Sequence, residues 1–562
     1  VALDRRRFLQ ASIATGGGLW LAGRLPGVAG GAPVTPPRSA ATGLPYVSNP
    51  LFTDGVLSGD PRPDSVLLWT RVDPTLDAGG GVDVTFEVAT APDIAPISVV
   101  SNGVVHTTAG EDHTVQVDVT GLSPDTTYWY RFTVSASDSP VGRTRTAPAA
   151  GASTGPVRFA FFSCERWTHG WYTAHHDLAE LALDPATDLA FVVCLGDYVY
   201  NTGFADDFQV RPDPVGDAVT LDDFRAKYHL YRSDLNLQAM HANFPVVCIF
   251  DNHDGQTDPT DPQGPGAIAA FFEQLPVRRF APGSTRQHRV QAWGGAVDVF
   301  LLDERQHRDV ALSDDPDALL GTHTDDRPGV FDPNRTMLGD DQRNWLLTGL
   351  TSSTARWKVV GSQQMFWPWR TEADPEQADA QHPHPGRYLN LEQWDGYMWE
   401  RDQILLTVEG AGGGNPVENV MVISGDDHVF SAAELSPDWD DCERDPVLVE
   451  FNGASISSSN ADERGLPETP ITRPLLQGVN PFVRYFDGER HGYATVELSD
   501  GQADVQYRSP ITKDQPVSDT EVLVSFRVAA GSSRIEPTGA GANPFAGCAE
   551  PGPVTASPAF TG

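Results

Sequence analysis

Asp188-Leu-Ala-Phe-Val-Val-Cys-Leu-Gly-Asp-Tyr-Val-Tyr200 is an apolar run that breaks abruptly into Gly196-Asp197-Tyr198-Val199-Tyr200. Continuous apolar residues rich in Val suit a strand buried on both faces, and ligands of such sheets gather where the strands end. The layout recurs. Pro245-Val-Val-Cys-Ile-Phe250 leads into Asp251-Asn252-His253-Asp254, and Val420-Met-Val-Ile423 into Ser424-Gly425-Asp426-Asp427-His428. Val157-Arg-Phe-Ala-Phe-Phe162 stops at Ser163-Cys164-Glu165-Arg166. Four such strands, ending in carboxylate, amide, imidazole, phenol and thiol groups, are expected to surround one pocket with oxygen, nitrogen and sulfur donors, as a multi-metal site requires.

Around this centre, 562 residues are enough for more than one core, and two domains are expected. The 76 acidic residues outnumber 39 basic ones, for a formal charge of −37. Such a balance argues against capture of nucleic acid, whose phosphates are bound through Lys and Arg excess. If the substrate is a phosphate ester, bound cations must reverse the field locally. The N-terminal Leu3-Asp4-Arg5-Arg6-Arg7-Phe8-Leu9-Gln10, followed by a mildly apolar Gly-rich stretch, matches a twin-arginine export signal over 1–32, with cleavage near Ala29 to Ala32. That route carries folded proteins and fits a metalloenzyme delivered to the periplasm or outside the cell. No later segment reaches the roughly 18 apolar residues of a membrane span. Of five cysteines, Cys194 and Cys248 lie inside apolar strands and read as packed thiols, whereas Cys442 and Cys548 are candidates for a disulfide. Cys164 stands at a strand's end beside charged residues.

Residues 33–44 read as a linker. From 45 to 150, the short runs Ser65–Arg71, Val84–Ala89, His113–Val119 and Thr127–Val134, separated by turn residues, predict a small all-β domain of the fibronectin or immunoglobulin type. From 155 to 510 strands alternate with helical segments such as Thr173–Leu183, Leu221–His229 and Gly339–Leu350, the α/β pattern. Residues 511–562 are expected to form a C-terminal extension or tail.

The spacing of the polar groups has chemical content. An Asp at the start of a loop can bridge two cations, and a tyrosinate three residues later can bind a ferric ion, as in Gly196-Asp197-x-x-Tyr200. Asn252 and His253 offer an amide oxygen to a second cation and an imidazole near the substrate. In Gly425-Asp426-Asp427-His428, strand-like alternation would point 426 and 428 the same way, so that each can reach a different metal. Cys164 biases its side toward a transition metal, and the oxygen donors opposite suit calcium, magnesium or manganese. His169, His175 and His176 read as solvent-facing imidazoles at a helix start. Arg166 reads equally as a phosphate contact or a surface salt bridge, and His491 as a weak pocket candidate.

At these residues the sequence resembles the PhoD family of alkaline phosphatases and phosphodiesterases, within the calcineurin-like metallophosphoesterase superfamily. Gly55-Val-Leu-Ser-Gly-Asp-Pro61 and Leu68-Trp-Thr-Arg-Val72 resemble its N-terminal domain. Ser163-Cys164, Gly196–Tyr200, Phe250–Asp254, Leu302-Asp-Glu-Arg305, Trp394-Asp-Gly-Tyr397 and Ser424–His428 resemble successive catalytic motifs. The resemblance implies a metallophosphoesterase β-sandwich flanked by helices. It implies iron (Fe3+) held by Cys164, Asp197, Tyr200 and His428, and calcium (Ca2+) held by Asp197 as bridge with Asn252 and Asp426. Gln363 follows a strand resembling one that ends in a metal-binding His in purple acid phosphatases. Phe250 and Asp254 depart from an expected Trp and Glu, and Glu304 stands where a small residue is common. The implied protein is a secreted, monomeric, metal-dependent phosphate-ester hydrolase. It has no nucleic-acid partner and no transmembrane segment, and attacks with metal-activated hydroxide, His253 and Arg166 steadying the phosphoryl oxygens. Alternatives are a phospholipase D-like phosphodiesterase and a non-catalytic secreted calcium-binding protein.

Overall fold

The computed structural model describes residues 46–539 except 185, 204–205, 207, 313–322, 325–328, 374–382, 442–443 and 465–477. The export signal, the linker, the Cys442–Cys548 pair and the tail from 540 onward lie outside the described residues.

Two large sheets face each other. The first has ten strands in the order Glu536–Pro537, Thr520–Ala529, Gln502–Pro510, Tyr493–Leu498, Val157–Phe162, Phe191–Cys194, Pro245–Cys248, Val56–Arg62, Ser65–Arg71 and Thr114–Thr120. The second has seven: Arg289–Trp293, Val297–Leu301, Trp357–Gly361, Val420–Ser424, Leu448–Asn452, Phe430–Leu435 and Val483–Asp487. In each sheet the four strands Val157–Phe162, Phe191–Cys194, Pro245–Cys248 and Val56–Arg62, or Val297–Leu301, Trp357–Gly361, Val420–Ser424 and Leu448–Asn452, run parallel.

Alternate residues of one strand serve two cores. Phe159, Phe161, Val193 and Val247 meet Val299, Val359, Met421 and Val449 between the sheets. Ala160, Phe162, Val192, Cys194 and Val246 turn outward under the helices Thr173–Leu181, Leu221–Arg232, Leu235–Asn243 and Gly264–Gln274. Helices Gly339–Ser352 and Met398–Glu409 cover the far face of the second sheet. Strands covered on both faces are apolar at most positions, so they read as near-continuous runs.

The N-terminal β structure is present, but it does not close on itself. Val82–Ala89, Val99–Thr107 and Thr127–Val134 form part of a separate five-stranded sheet, while Val56–Arg62, Ser65–Arg71 and Thr114–Thr120 continue the ten-stranded sheet. Burial explains the split. Ser65–Arg71 is buried at every position, whereas Thr127–Val134 alternates. The C-terminal expectation needs correction as well. Thr520–Ala529 is a ten-residue strand whose Val524, Phe526 and Val528 enter the core, so the segment reaching 539 belongs to the sandwich and is no tail.

Glu450 lies at the heart of the second sheet with no exposure. One carboxylate oxygen accepts from Ser424 Oγ at 2.6 Å and from Phe366 N at 2.7 Å, and the other has no donor. Burial pushes its pKa from 4.5 up to about 7. A raised folded-state pKa contributes stability that is complete below the unfolded value and is lost as pH rises through the folded one. The term for Glu450 is on the order of 3 kcal/mol between pH 4.5 and pH 8. Glu450→Gln, which mimics the protonated acid, is therefore expected to flatten the fall in melting temperature from pH 5 to pH 8. A slope equal to that of the parent protein would contradict this.

Candidate metal centre

The C-terminal ends of both sets of parallel strands meet at one place. Gly196, at φ +106°, sits where a Cβ would overlap that of Asp251, and a Cβ on Gly425 would overlap Ser163 Oγ. Glycine at these two positions lets the strand-end loops close on one another.

Cys164 Sγ, an Asp197 oxygen and a His428 nitrogen lie within 4.8 Å of one another. Carboxylate oxygens of Asp197, Asp251 and Asp426 form a second such group. Asp197 is common to both. Tyr200 Oη stands 3.4 Å from His428 Nε2. Cys164 (φ 58°), Asp197 (54°), Asp426 (71°) and His428 (60°) all occupy the left-handed region. For non-glycine residues this costs about 1–3 kcal/mol each and persists only where the surroundings enforce it. The reading of 426 and 428 as alternate positions of a strand is thus corrected. Residues 425–429 form an irregular bend, and the reversed backbone at 426 and again at 428 sends one side chain to each group.

The surrounding hydrogen bonds orient these donors. His428 Nδ1 donates to Ser459 O at 2.7 Å, which leaves Nε2 with a lone pair facing Tyr200. Arg464 Nη2 stands 2.6 Å from the same Nδ1, a contact that requires the opposite tautomer, so ligation through Nε2 selects the Ser459 bond. Ser458 Oγ donates to Tyr200 Oη at 2.7 Å. Asp254 accepts from the backbone N–H groups of Asp197, Val199 and Asp251 at 2.9–3.0 Å and so straps two loops together. Glu304 accepts from Ser362 Oγ, Gln364 N and Trp394 Nε1 beneath the site.

Electrostatics mark the cluster as built for cations. Burial, followed by the charges of Asp251, Asp254 and Asp426, holds Asp197 well above the carboxylate range. Burial and then Asp251 push Asp426 up to about 7. Burial, with Asp197 and Asp426 next, raises the Cys164 thiol, while burial and Arg464 keep His428 neutral. Asp197 Oδ1 accepts from His253 N at 3.0 Å, but Oδ2 is buried with no donor. Gln363 Nε2 donates to Phe250 O and Leu302 O at 3.0 Å, leaving its buried Oε1 unclaimed as well. A positive ion satisfies these acceptors and removes the repulsion in one step. The donor set fits a metal: sulfur, phenol and imidazole on one side of Asp197, oxygen alone on the other.

Several residues lie differently from their sequence reading. His169, His175 and His176 are buried and not solvent-facing: His175 Nε2 bonds Glu165 at 2.6 Å in a fully buried pair, and His169 Nε2 bonds Asp206 at 2.8 Å. Arg166 is buried, donating to Thr168 Oγ1 at 3.1 Å with its guanidinium 5.4 Å from the centre of the Tyr200 ring and 4.0 Å from Asp206, so the ion pair it forms is largely buried and does not lie on the surface. The His253 imidazole stacks on Tyr200 at 4.2 Å and is half-buried at the open edge. His491 bonds Ser455 and Asn460 and braces the 455–460 loop. Asn252 Oδ1 accepts from Arg305 Nη2 at 3.3 Å.

Sequence reasoning passed over Asp251 as a ligand candidate, although it stands inside a quoted motif. It also passed over Arg305, which is fully buried and donates to Asp251 Oδ1 at 2.5 Å and to Glu392 at 3.1 Å, offsetting part of the carboxylate charge. The Ser455–Asn460 loop was invisible for a different reason: hydroxyls and carbonyls that steady a ligand leave no pattern in a sequence.

Residues 159–507 match the family described as PhoD-like phosphatase, and residues 38–148 match the PhoD-like phosphatase, N-terminal domain. Alkaline phosphatase D of Bacillus subtilis (strain 168) is 32% identical over 552 residues, covering 93% of this chain and 87% of that protein. A solved structure of PhoD superposes with a TM-score of 0.75 at 31% identity, covering 88% of this chain and 93% of that one.

Proposed function

The chain belongs to the PhoD-like phosphatase family and is a phosphoric ester hydrolase, and from that premise we propose that its ester is cleaved at the centre around Asp197, whose carboxylate would serve two cation sites. The observation that carries this reading is the one carboxylate common to two groups of donors. Cys164, Tyr200 and His428 would hold a ferric ion with Asp197. Asp251, Asn252 and Asp426 would hold calcium with it, and Gln363 Oε1 is a further donor.

When bound, such cations lower the pKa of water from about 15.7 toward neutral and neutralise the leaving oxygen. The protein's own groups supply position. His253, fixed against the Tyr200 ring, presents an N–H to a phosphoryl oxygen, and its backbone N–H keeps Asp197 aligned. Arg166 adds positive charge behind Tyr200. Arg305 holds Asp251 and Asn252 in place while offsetting the charge of Asp251.

No side-chain nucleophile enters this scheme, so substrate chirally labelled at phosphorus is expected to give inversion; retention would overturn it. Rates on p-nitrophenyl phosphate, bis-p-nitrophenyl phosphate and phosphatidylcholine separate monoester, diester and phospholipid specificity. The same proposal divides the chain into an N-terminal part, 45–150, which lends three strands to the ten-stranded sheet, and a catalytic part that runs from 155 through the strand Thr520–Ala529. It includes export on the twin-arginine signal of Arg5-Arg6-Arg7-Phe8-Leu9. No helix among the described residues is long and apolar enough to cross a membrane.

A further inference from the structure

A second cavity, of about 290 Å³, opens beside the first parallel strand and is bordered by five arginines. Strand direction places it at the same end of the sandwich as the metal centre. Arg62 closes Val56–Arg62, which runs parallel to the strand leading into Asp251, and Arg289 pairs with Leu301, where the chain turns toward Arg305. Two side-chain bonds tie its wall to that centre: Phe250 N donates to Gln287 Oε1 at 3.0 Å, and Gln306 Nε2 donates to Thr285 O at 2.9 Å.

Two of the arginines are neutralised, Arg289 by Asp60 at 2.7 Å and Arg278 by Asp118. Arg62, Arg279 and Arg286 have no carboxylate within 4.0 Å among the described residues. In a chain with 76 acidic residues and 39 basic ones, three such cations bordering one cavity run against composition. Two of them are also anchored. Arg279 donates to Ser284 O at 2.9 Å with its guanidinium 4.1 Å from the Phe272 ring centre. Arg286 donates to His288 O at 3.2 Å with its guanidinium 4.2 Å from that of Phe280, a ring left 49% exposed. One carbonyl and one ring face fix each guanidinium and leave its other N–H groups unclaimed. A planar fork held in advance loses little freedom on meeting a tetrahedral oxyanion.

We propose that this cavity is a second anion site, separate from the metal centre, which takes a phosphate group through Arg62, Arg279 and Arg286. At about 290 Å³ the cavity has room for a phosphate group. The phosphate has two sources: free phosphate released by hydrolysis, or a further phosphate group on the substrate.

Equilibrium dialysis of the metal-loaded, full-length protein against radiolabelled orthophosphate tests the site. Two phosphates per chain are expected, falling to one in R279Q/R286Q, with metal content and melting temperature retained. R62Q, which alters an exposed residue bordering the same cavity, is expected to weaken the same event at least tenfold. One phosphate per chain in the parent protein, or an unchanged count in the double variant, would overturn the proposal. The source is read from KM for a bisphosphorylated ester relative to p-nitrophenyl phosphate. A rise in that ratio in R279Q/R286Q assigns the cavity to substrate, and an unchanged ratio with one phosphate lost assigns it to free phosphate. Binding is measured without turnover, so a chain that hydrolysed no ester would sink the two-cation scheme and leave this site standing.

Discussion

Asp197→Asn is expected to lower kcat by on the order of 10³-fold or more and to strip cations from both halves of the centre. Asp197 is the one residue present in both donor groups, and of its two oxygens one is aligned by His253 N while the other is buried without a donor. An asparagine keeps one carbonyl oxygen and turns an NH2 toward the place where the second cation needs an acceptor. Loss of fold is separable from loss of metal. Burial and three neighbouring carboxylates hold the Asp197 carboxyl well above its ordinary range, so the ionised side chain opposes folding in the absence of metal. After chelation the Asn variant should therefore melt at or above the parent at pH 8, although it is the less active of the two when metal is restored. Elemental analysis showing full metal content in the variant would remove Asp197 from the bridging position.

The second large effect belongs to Cys164→Ser. Cys164 is fully buried, and its thiol is raised by burial and then by Asp197 and Asp426, so nothing in the chain alone ionises it. A cation that takes the thiolate must displace that proton, and serine offers a far weaker acid and a harder donor in its place. On the proposed assignment, iron content is expected to fall with activity, while calcium, which would sit on the oxygen side, is retained. The loss should exceed the roughly 10–100-fold typical of residues that only orient a ligand. Iron uptake by the parent protein should slow as pH falls, because protons compete for the same donors. Unchanged iron in the variant would exclude Cys164 from the centre.

The unequal success of sequence reading follows from burial. The runs Val157–Phe162, Phe191–Cys194, Pro245–Cys248 and Val420–Ser424 are legible because strands covered on both faces are apolar at nearly every position, and their polar endings then stand out. Ser65–Arg71 has the same unbroken pattern but sits among alternating strands, and its place in the large sheet was missed for that reason. His175 was misread because a buried His–Glu pair looks, in sequence, like two ordinary polar residues ten apart. Thr520–Ala529 was hidden by the Gly- and Pro-rich chain around it.

Which residue types stand at the ends of the buried strands, and hence that oxygen, nitrogen and sulfur donors would collect in one place, is written in the chain, because strand burial and side-chain chemistry are local properties. The assignment of each donor to one half of the centre is not. That depends on left-handed backbone at Cys164, Asp197, Asp426 and His428, and on two glycines whose missing side chains let loops close, Gly196 against Asp251 within one sheet and Gly425 against Ser163 between the two. The backbone reversals are unfavourable in isolation and are held by contacts between residues from about thirty to several hundred positions apart, so they come into being with the tertiary structure.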